Sequence, residues 1–276
     1  MEKYLKIIVI ILFFALFGTY ILKFSKAPLY LSDTVTKLPK EEEIKLLKIL
    51  DKVNLNSEMI ESIVYNDIKI KLTQGITFRA KGSLFFERNK KLRIFINHGL
   101  FGREMDIGSN EDVFWFWSKR MRPSAIYFSS HKDLNKTNLK TPLNPDWILE
   151  SFGFSTINKN EIEFVKCGDY LGIKQYKLSN NCEQVRILTL LDKYSSRVVG
   201  KYLYDCEDHL LASVELKSYK VDSMTGIQIP NNILISWYDE NIFMEWSIED
   251  IILNKNISSN NWELPNYEKR INLSEY

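Results

Sequence analysis

Between Phe78 and Trp117 apolar and polar residues alternate with a period of two, the mark of strands that bury one face. Phe78, Ala80, Leu84 and Phe86 fall on one side of the first strand, and Arg79, Lys81, Ser83 and Glu87 on the other. Arg88-Asn89-Lys90 supplies a turn, after which Leu92, Ile94 and Ile96 alternate with Arg93 and Asn97. A glycine-containing loop, His98 to Gly102, leads to Met105 and Ile107, and Gly108-Ser109-Asn110 turns the chain into a run from Val113 to Trp117. That run is apolar on both faces. The pattern predicts four consecutive antiparallel strands that share a large apolar face.

Further strands are predicted over 62–72, 74–87 and 125–129, then over 161–166, 170–178, 185–191, 198–206, 210–221, 227–238 and 242–253. Turn residues recur between them at hairpin spacing, which favours an antiparallel meander over crossover helices. Met244, Trp246 and Ile248 alternate with Glu245, Ser247 and Glu249. Two helices interrupt the strands. Pro39 opens the first, with Glu41, Glu42 and Glu43 in its first turn, where carboxylates complement the helix dipole. Ile44, Leu47, Leu50 and Val53 form its apolar stripe beside Leu46 and Ile49, and Asn54-Leu55-Asn56 ends it. The second spans 145–153, after a polar loop at 131–144, and carries Trp147, Ile148, Leu149 and Phe152 on one side. No linker or repeat follows Pro39, so residues 39–276 read as one β domain.

Ahead of that domain, the run from Leu5 to Leu22 has no charge after Lys6 and is about the length that crosses a bilayer as a helix. Its exit, Lys23-Phe24-Ser25-Lys26-Ala27-Pro28, lacks an A-x-A cleavage site, and no cysteine follows that could carry a lipid. An uncleaved membrane anchor over 1–26, followed by a linker over 27–38, fits this better than a removed signal peptide. Lys3 and Lys6 before the run and Lys23 and Lys26 after it leave the positive-inside rule without a preference.

Phe86-Glu87-Arg88, the basic turn, Lys91-Leu92-Arg93 and the sequence from Ile107 through Asn110-Glu111-Asp112 to Trp115 together resemble the LolA/LolB class of lipoprotein carriers and receptors. The resemblance runs roughly from Pro39 to Pro265. It implies an incomplete antiparallel β-barrel closed by a helical lid over an apolar cavity, here preceded by one N-terminal transmembrane helix. It also implies roles for particular residues. Phe78, Leu84, Phe86, Leu92 and Ile94 would line the cavity, joined by one parity of the aromatic strand. Alternation alone leaves that parity open; Trp115 and Trp117 are the expected pair. Arg88 stands where the class has a lid-contacting arginine, with Leu47 and Leu50 on the lid. Asn89 replaces the proline that follows the arginine in the class, and a solvated turn arginine is the competing reading. Gly226-Ile227-Gln228-Ile229-Pro230 and Trp262-Glu263-Leu264-Pro265 resemble the closing strands of lipoprotein-sorting relatives.

Charge and candidate chemistry change this picture little. The net charge of +2 implies no polyanion partner. Aromatic residues make up 13% of the chain, which suits a large β core or a ligand cavity. Phe114, Trp115, Phe116 and Trp117 are compatible with either, as buried packing or as a wall for acyl chains. There is no dinucleotide fingerprint, P-loop, HExxH or nucleophile elbow, and His98, His131 and His209 sit in separate turns. No cofactor, metal site or catalytic residue is expected. Cys167, Cys182 and Cys206 lack metal-site spacing. They are either inert thiols or one bridge with a spare, in which case Cys167–Cys182 is the expected pair. The reading that results is a lipid- or lipoprotein-binding protein in lipoprotein sorting or transfer. It would be a single-pass protein of the cytoplasmic (inner) membrane whose domain faces the periplasm or cell exterior. The alternative is a non-catalytic structural module of an envelope complex with a filled core.

Overall fold

The computed structural model describes residues 35–99, 102–119, 121–134, 137, 145–179, 182–239 and 241–275. The expected anchor between Leu5 and Leu22 lies outside them. Among the described residues no helix is long and apolar enough to cross a membrane.

The described chain is mainly β, with few helices. It opens with β1 (Val35–Lys37) and α1 (Lys40–Glu58), followed by β2 (Ser62–Gln74), β3 (Ile76–Glu87), β4 (Lys91–His98) and β5 (Gly102–Ser109). Next come β6 (Val113–Ser118), β7 (Ile126–Ser130), α2 (Pro145–Ser151), β8 (Ile162–Cys167) and β9 (Tyr170–Ser179). The remainder is β10 (Cys182–Asp192), β11 (Arg197–Tyr204), β12 (Leu210–Val221), β13 (Gln228–Trp237), β14 (Ile242–Leu253) and β15 (Arg270–Asn272).

Two compact units contain these elements. The first comprises Glu61–Asp146 and Met244–Tyr276, with strands hydrogen-bonded in the linear order β14-β2-β3-β4-β5-β6-β7-β15. From β2 to β7 the pairing is antiparallel, and β15 joins β7 in parallel. Sequence-local hairpins explain this order. The β3–β4 turn places Glu87 opposite Lys91 and holds Asn89 and Lys90 at φ of 68° and 65°. Asparagine visits that left-handed region readily, and a proline there, with φ locked near −65°, could not form this turn. On β14, Met244, Trp246 and Ile248 are buried. Glu245 and Glu249 face outward to pair with Lys71 and Lys69 of β2.

The second unit comprises residues 35–60 and Trp147–Phe243, in the antiparallel order β1-β8-β9-β10-β11-β12-β13. Helix α1 runs further than its sequence predicts, through Asn54 and Asn56 to Glu58. Both asparagines are occupied by tertiary bonds in place of ending the helix. Asn54 Nδ2 donates to Ile157 O at 2.9 Å, and its Oδ1 accepts from Ile157 N at 2.8 Å. Asn56 makes the same two-way clamp with the backbone of Gln228, at 3.0 and 2.7 Å. The expected stripe of α1 divides: Leu46, Leu50 and Val53 are buried, while Ile44 is 62% and Leu47 37% exposed.

Two further expectations are corrected. Trp262-Glu263-Leu264-Pro265 is not a strand; Ser259–Trp262 is a 3-10 turn and the residues after it are irregular. Cys167 is a free, buried thiol and Cys206 is disulfide-bonded, so the Cys167–Cys182 bridge does not form. Burial raises the Cys167 thiol above its ordinary pKa, against a smaller opposing effect of Lys174.

Candidate functional site

In the first unit, register decides which residues share a face. Residues directly opposite in an antiparallel pair point the same way. Ile63 pairs Phe86, which pairs Leu92; Tyr65 pairs Leu84, which pairs Ile94 and then Ile107. Leu72 pairs Phe78 at the far end. These positions carry no charge. Leu84 and Leu92 have 0% exposure and Phe86 and Ile94 each 4%, while Phe78 is half-buried and stacks on the His98 ring at 6.3 Å. Five of the expected cavity residues therefore occupy one continuous apolar face.

Trp115 and Trp117 do not join them. Arg93 pairs Gly108, which pairs Trp115, and Phe95 pairs Asp106, which pairs Trp117, so both tryptophans lie on the opposite face. The glycine is required there, because a Cβ at position 108 would come within 2.2 Å of the Trp115 ring. This second face is also covered. Leu264 and Tyr267 pack against Trp115, Trp117 and Ile126, and the Trp117 and Tyr267 rings lie 5.3 Å apart.

Alternation marks Arg93 as a solvent-facing residue, yet its side chain is only 6% exposed. Its Nε and Nη2 donate to the two carboxylate oxygens of Asp106 at 2.7 and 2.6 Å. Its Nη1 donates to Asn261 O and Glu263 O at 3.1 and 2.9 Å. The guanidinium lies over the rings of Phe95 and Trp115, at 4.9 and 5.1 Å from their centroids. An ion pair this buried is tolerable because all three guanidinium nitrogens donate and the carboxylate is met on both oxygens. Here it fastens the C-terminal segment to the sheet. Its sequence signal is Asp106, a carboxylate between the apolar Met105 and Ile107.

Arg88 is half-buried in the β3–β4 turn, and its backbone N–H donates to Glu61 O at 3.0 Å. Of the expected lid residues, Leu50 is fully buried in the second unit and Leu47 borders solvent. Among the described residues, no group of three or more His, Cys, Asp and Glu side chains is arranged to hold a metal ion. His131 Nε2 lies 2.7 Å from Asn110 O and 3.3 Å from Ser109 Oγ, while its Nδ1 is buried without a partner. A serine and a histidine in reach of each other with no carboxylate behind the ring do not make a triad.

No protein-family model matches the chain, and no curated protein matches it. Solved structures do share its fold. A DUF1329-family protein from Desulfovibrio piger superposes with a TM-score of 0.51 at 11% identity, over 78% of this chain and 95% of its own. A putative outer membrane lipoprotein-sorting protein domain from Vibrio parahaemolyticus does so with a TM-score of 0.51 at 12% identity, over 78% and 95%. A LolA-superfamily protein from Nitrosomonas europaea gives 0.50 at 11% identity, over 78% and 97%. The class this defines is a protein of LolA-like fold, as the turn and strand motifs implied.

Proposed function

We propose that this chain is a membrane-tethered, extracytoplasmic protein that binds the acyl chains of a lipid or lipoprotein without covalent chemistry. The observation that carries this is the uncharged, register-locked face of Phe78, Leu84, Phe86, Leu92 and Ile94 in a fold shared with a lipoprotein-sorting domain. Transfer of acyl chain from water to such a surface is worth about 0.8 kcal/mol per CH₂. The run from Leu5 to Leu22 would be the tether, and the oxidised Cys206 suits an oxidising compartment. The protein would sit in the cytoplasmic membrane with its domain on the far side.

Zero exposure of Leu84 and Leu92 means that no water-sized void adjoins them. Cargo must therefore displace whatever covers this face. The same observation favours a second reading, a structural module whose core stays filled.

Native mass spectrometry of the full chain, released from a neutral detergent, separates the two. The wild type is expected to carry lipid, and Leu84→Arg to keep its near-ultraviolet circular dichroism while losing that load. A wild type with no lipid, or a folded variant with its full load, sinks the carrier reading. A variant that cannot fold supports the filled core, because an arginine in a packed apolar site lacks any partner.

A further inference from the structure

Three turns of the second unit are built alike and differ in what they hold out. Each begins with an aspartate whose side chain accepts the backbone N–H of the second residue after it: Asp192 from Tyr194 at 2.8 Å, Asp222 from Met224 at 3.2 Å and Asp205 from Glu207 at 2.9 Å. Asp192 and Asp222 also accept from Ser195 N and Thr225 N, and their carbonyls accept from Ser196 N and Gly226 N. The residue after next is thereby held at the crest of the turn. In two of the turns it is apolar and nearly bare, with Tyr194 87% and Met224 93% exposed. In the third it is Glu207, with its side chain 81% exposed. Single apolar residues scattered over a surface are ordinary. A tyrosine and a methionine at the same position of twin turns are not scattered.

Register puts both apolar crests on the rim of the sheet where the chain enters it. Val35 pairs Cys167, which pairs Tyr170 across the β8–β9 turn; Leu171 pairs Leu191, and Asp192 pairs Arg197 across the β10–β11 turn. The β12–β13 turn, closed by Val221 opposite Gln228, falls on this same rim, because turns of a meander alternate between the two ends of the strands. The twin hairpins are braced against each other: Arg197 Nε donates to the Gln228 side-chain oxygen, and the Tyr219 hydroxyl donates to Val198 O at 2.6 Å. Helix α1 ends here as well, since Asn56 clamps the Gln228 backbone, and its last residues include the exposed Leu55 and Met59. The β11–β12 turn, with Glu207 and Asp208, lies on the opposite rim. Residues 23–34, between Leu22 and Val35, span at most about 40 Å. A bilayer that holds Leu5–Leu22 is therefore within that reach of the rim bearing Tyr194 and Met224.

We infer that this rim rests on the bilayer that holds Leu5–Leu22, with the Tyr194 and Met224 side chains in its interfacial layer. A tyrosine suits that layer, having an apolar ring and a polar tip. Lys193, whose Nζ lies 4.9 Å from the Tyr194 centroid, can keep its ammonium among the headgroups. The inference rests on the tether reading and deepens it by fixing which rim of the second unit faces the membrane.

The full chain is reconstituted into phosphatidylcholine vesicles that contain a lipid with a nitroxide just below its headgroup. An environment-sensitive maleimide fluorophore is attached at Ser223→Cys, beside Met224, or at Glu207→Cys on the opposite rim, and the signal of the unsubstituted chain is subtracted. The nitroxide is expected to quench the label at position 223 about twofold, as for a probe about 5–10 Å inside the headgroup–acyl boundary, and to leave the label at 207 unchanged. Tyr194→Asp with Met224→Asp, introduced into the Ser223→Cys chain, should abolish the quenching. Its circular dichroism should stay that of the parent, because the two exposed side chains touch little of the protein. Equal quenching at 223 and 207, no quenching at 223, or quenching there that survives the two aspartates would overturn the contact while the chain still resists carbonate extraction from the vesicles. Release of the unsubstituted chain by carbonate would instead remove the tether, and the inference with it.

Discussion

Replacing Asp106 by alanine tests how the C-terminal segment is held. The change removes both carboxylate bonds to Arg93 and leaves the guanidinium in a site where its side chain is only 6% exposed. Losing one partner of a buried pair costs about 3–5 kcal/mol. Arg93 retains the carbonyls of Asn261 and Glu263 and the faces of Phe95 and Trp115, so the lower end of that range applies, about 3 kcal/mol. Arg103, 3.8 Å from Asp106 and half exposed, adds little. The paired change Arg93→Met with Asp106→Leu removes the stranded charge and should recover about half or more of the loss, since apolar replacements of buried pairs are often neutral. Urea unfolding of the full chain in neutral detergent, run as a double-mutant cycle, measures both numbers. Hydrogen exchange adds a local readout: amides between Asn261 and Ile271 should lose protection in Asp106→Ala before those of β2 and β3 do. A cost below about 1 kcal/mol, with unchanged protection at the C-terminus, would refute the claim that this pair fastens the segment.

Asn54→Ala should destabilise the chain by about 2–4 kcal/mol, because it orphans the buried N–H and C=O of Ile157 together; urea midpoints at constant slope check this. Under denaturing, non-reducing conditions a maleimide should label Cys167 and leave Cys206 unmodified until reductant is added, read by peptide mass spectrometry. Burial acts to raise the Asp192 carboxyl, but the amides of Tyr194 and Ser195, the Ser195 hydroxyl and Arg197 outweigh it, holding the group below its ordinary 3.8. Its stabilisation is therefore complete above that value and lost as pH falls through the lower, folded one. Asp192→Asn should flatten the acid limb of the stability profile there, and an unchanged limb would count against it.

The strands were legible because period-two alternation and turn residues agree, as in Met244, Trp246 and Ile248 against Glu245 and Glu249. The face of the aromatic strand was not. Both of its parities are apolar, so only the pairing of Gly108 with Trp115 settles the matter. Arg93 misleads for a related reason. A charge ordinarily marks the wet side of a strand, and the carbonyls that make burial tolerable here lie 168 and 170 residues further along the chain. The asparagines of α1 read as a helix end because short polar side chains compete with the backbone for hydrogen bonds. Their partners, 103 and 172 residues away, remove that competition and let the helix continue.

The two faces of the first unit's sheet differ in what holds their covering. On the Trp115 face the cover is held by directional bonds, Arg93 to Asp106 and to two carbonyls, and each bond lost would leave a buried polar group unpaired. On the Leu84 face Ile63, Phe86, Leu92, Leu84, Ile94 and Ile107 present apolar side chains. Apolar attraction is non-directional and scales with area, so an acyl chain can replace one apolar cover by another at little net cost. Exchange on the Trp115 face would have to break the ion pair first. On the proposed acyl-binding reading, cargo would therefore be directed to Leu84, Leu92 and Ile94, and Trp115 and Trp117 would stay covered by the segment that Arg93 fastens.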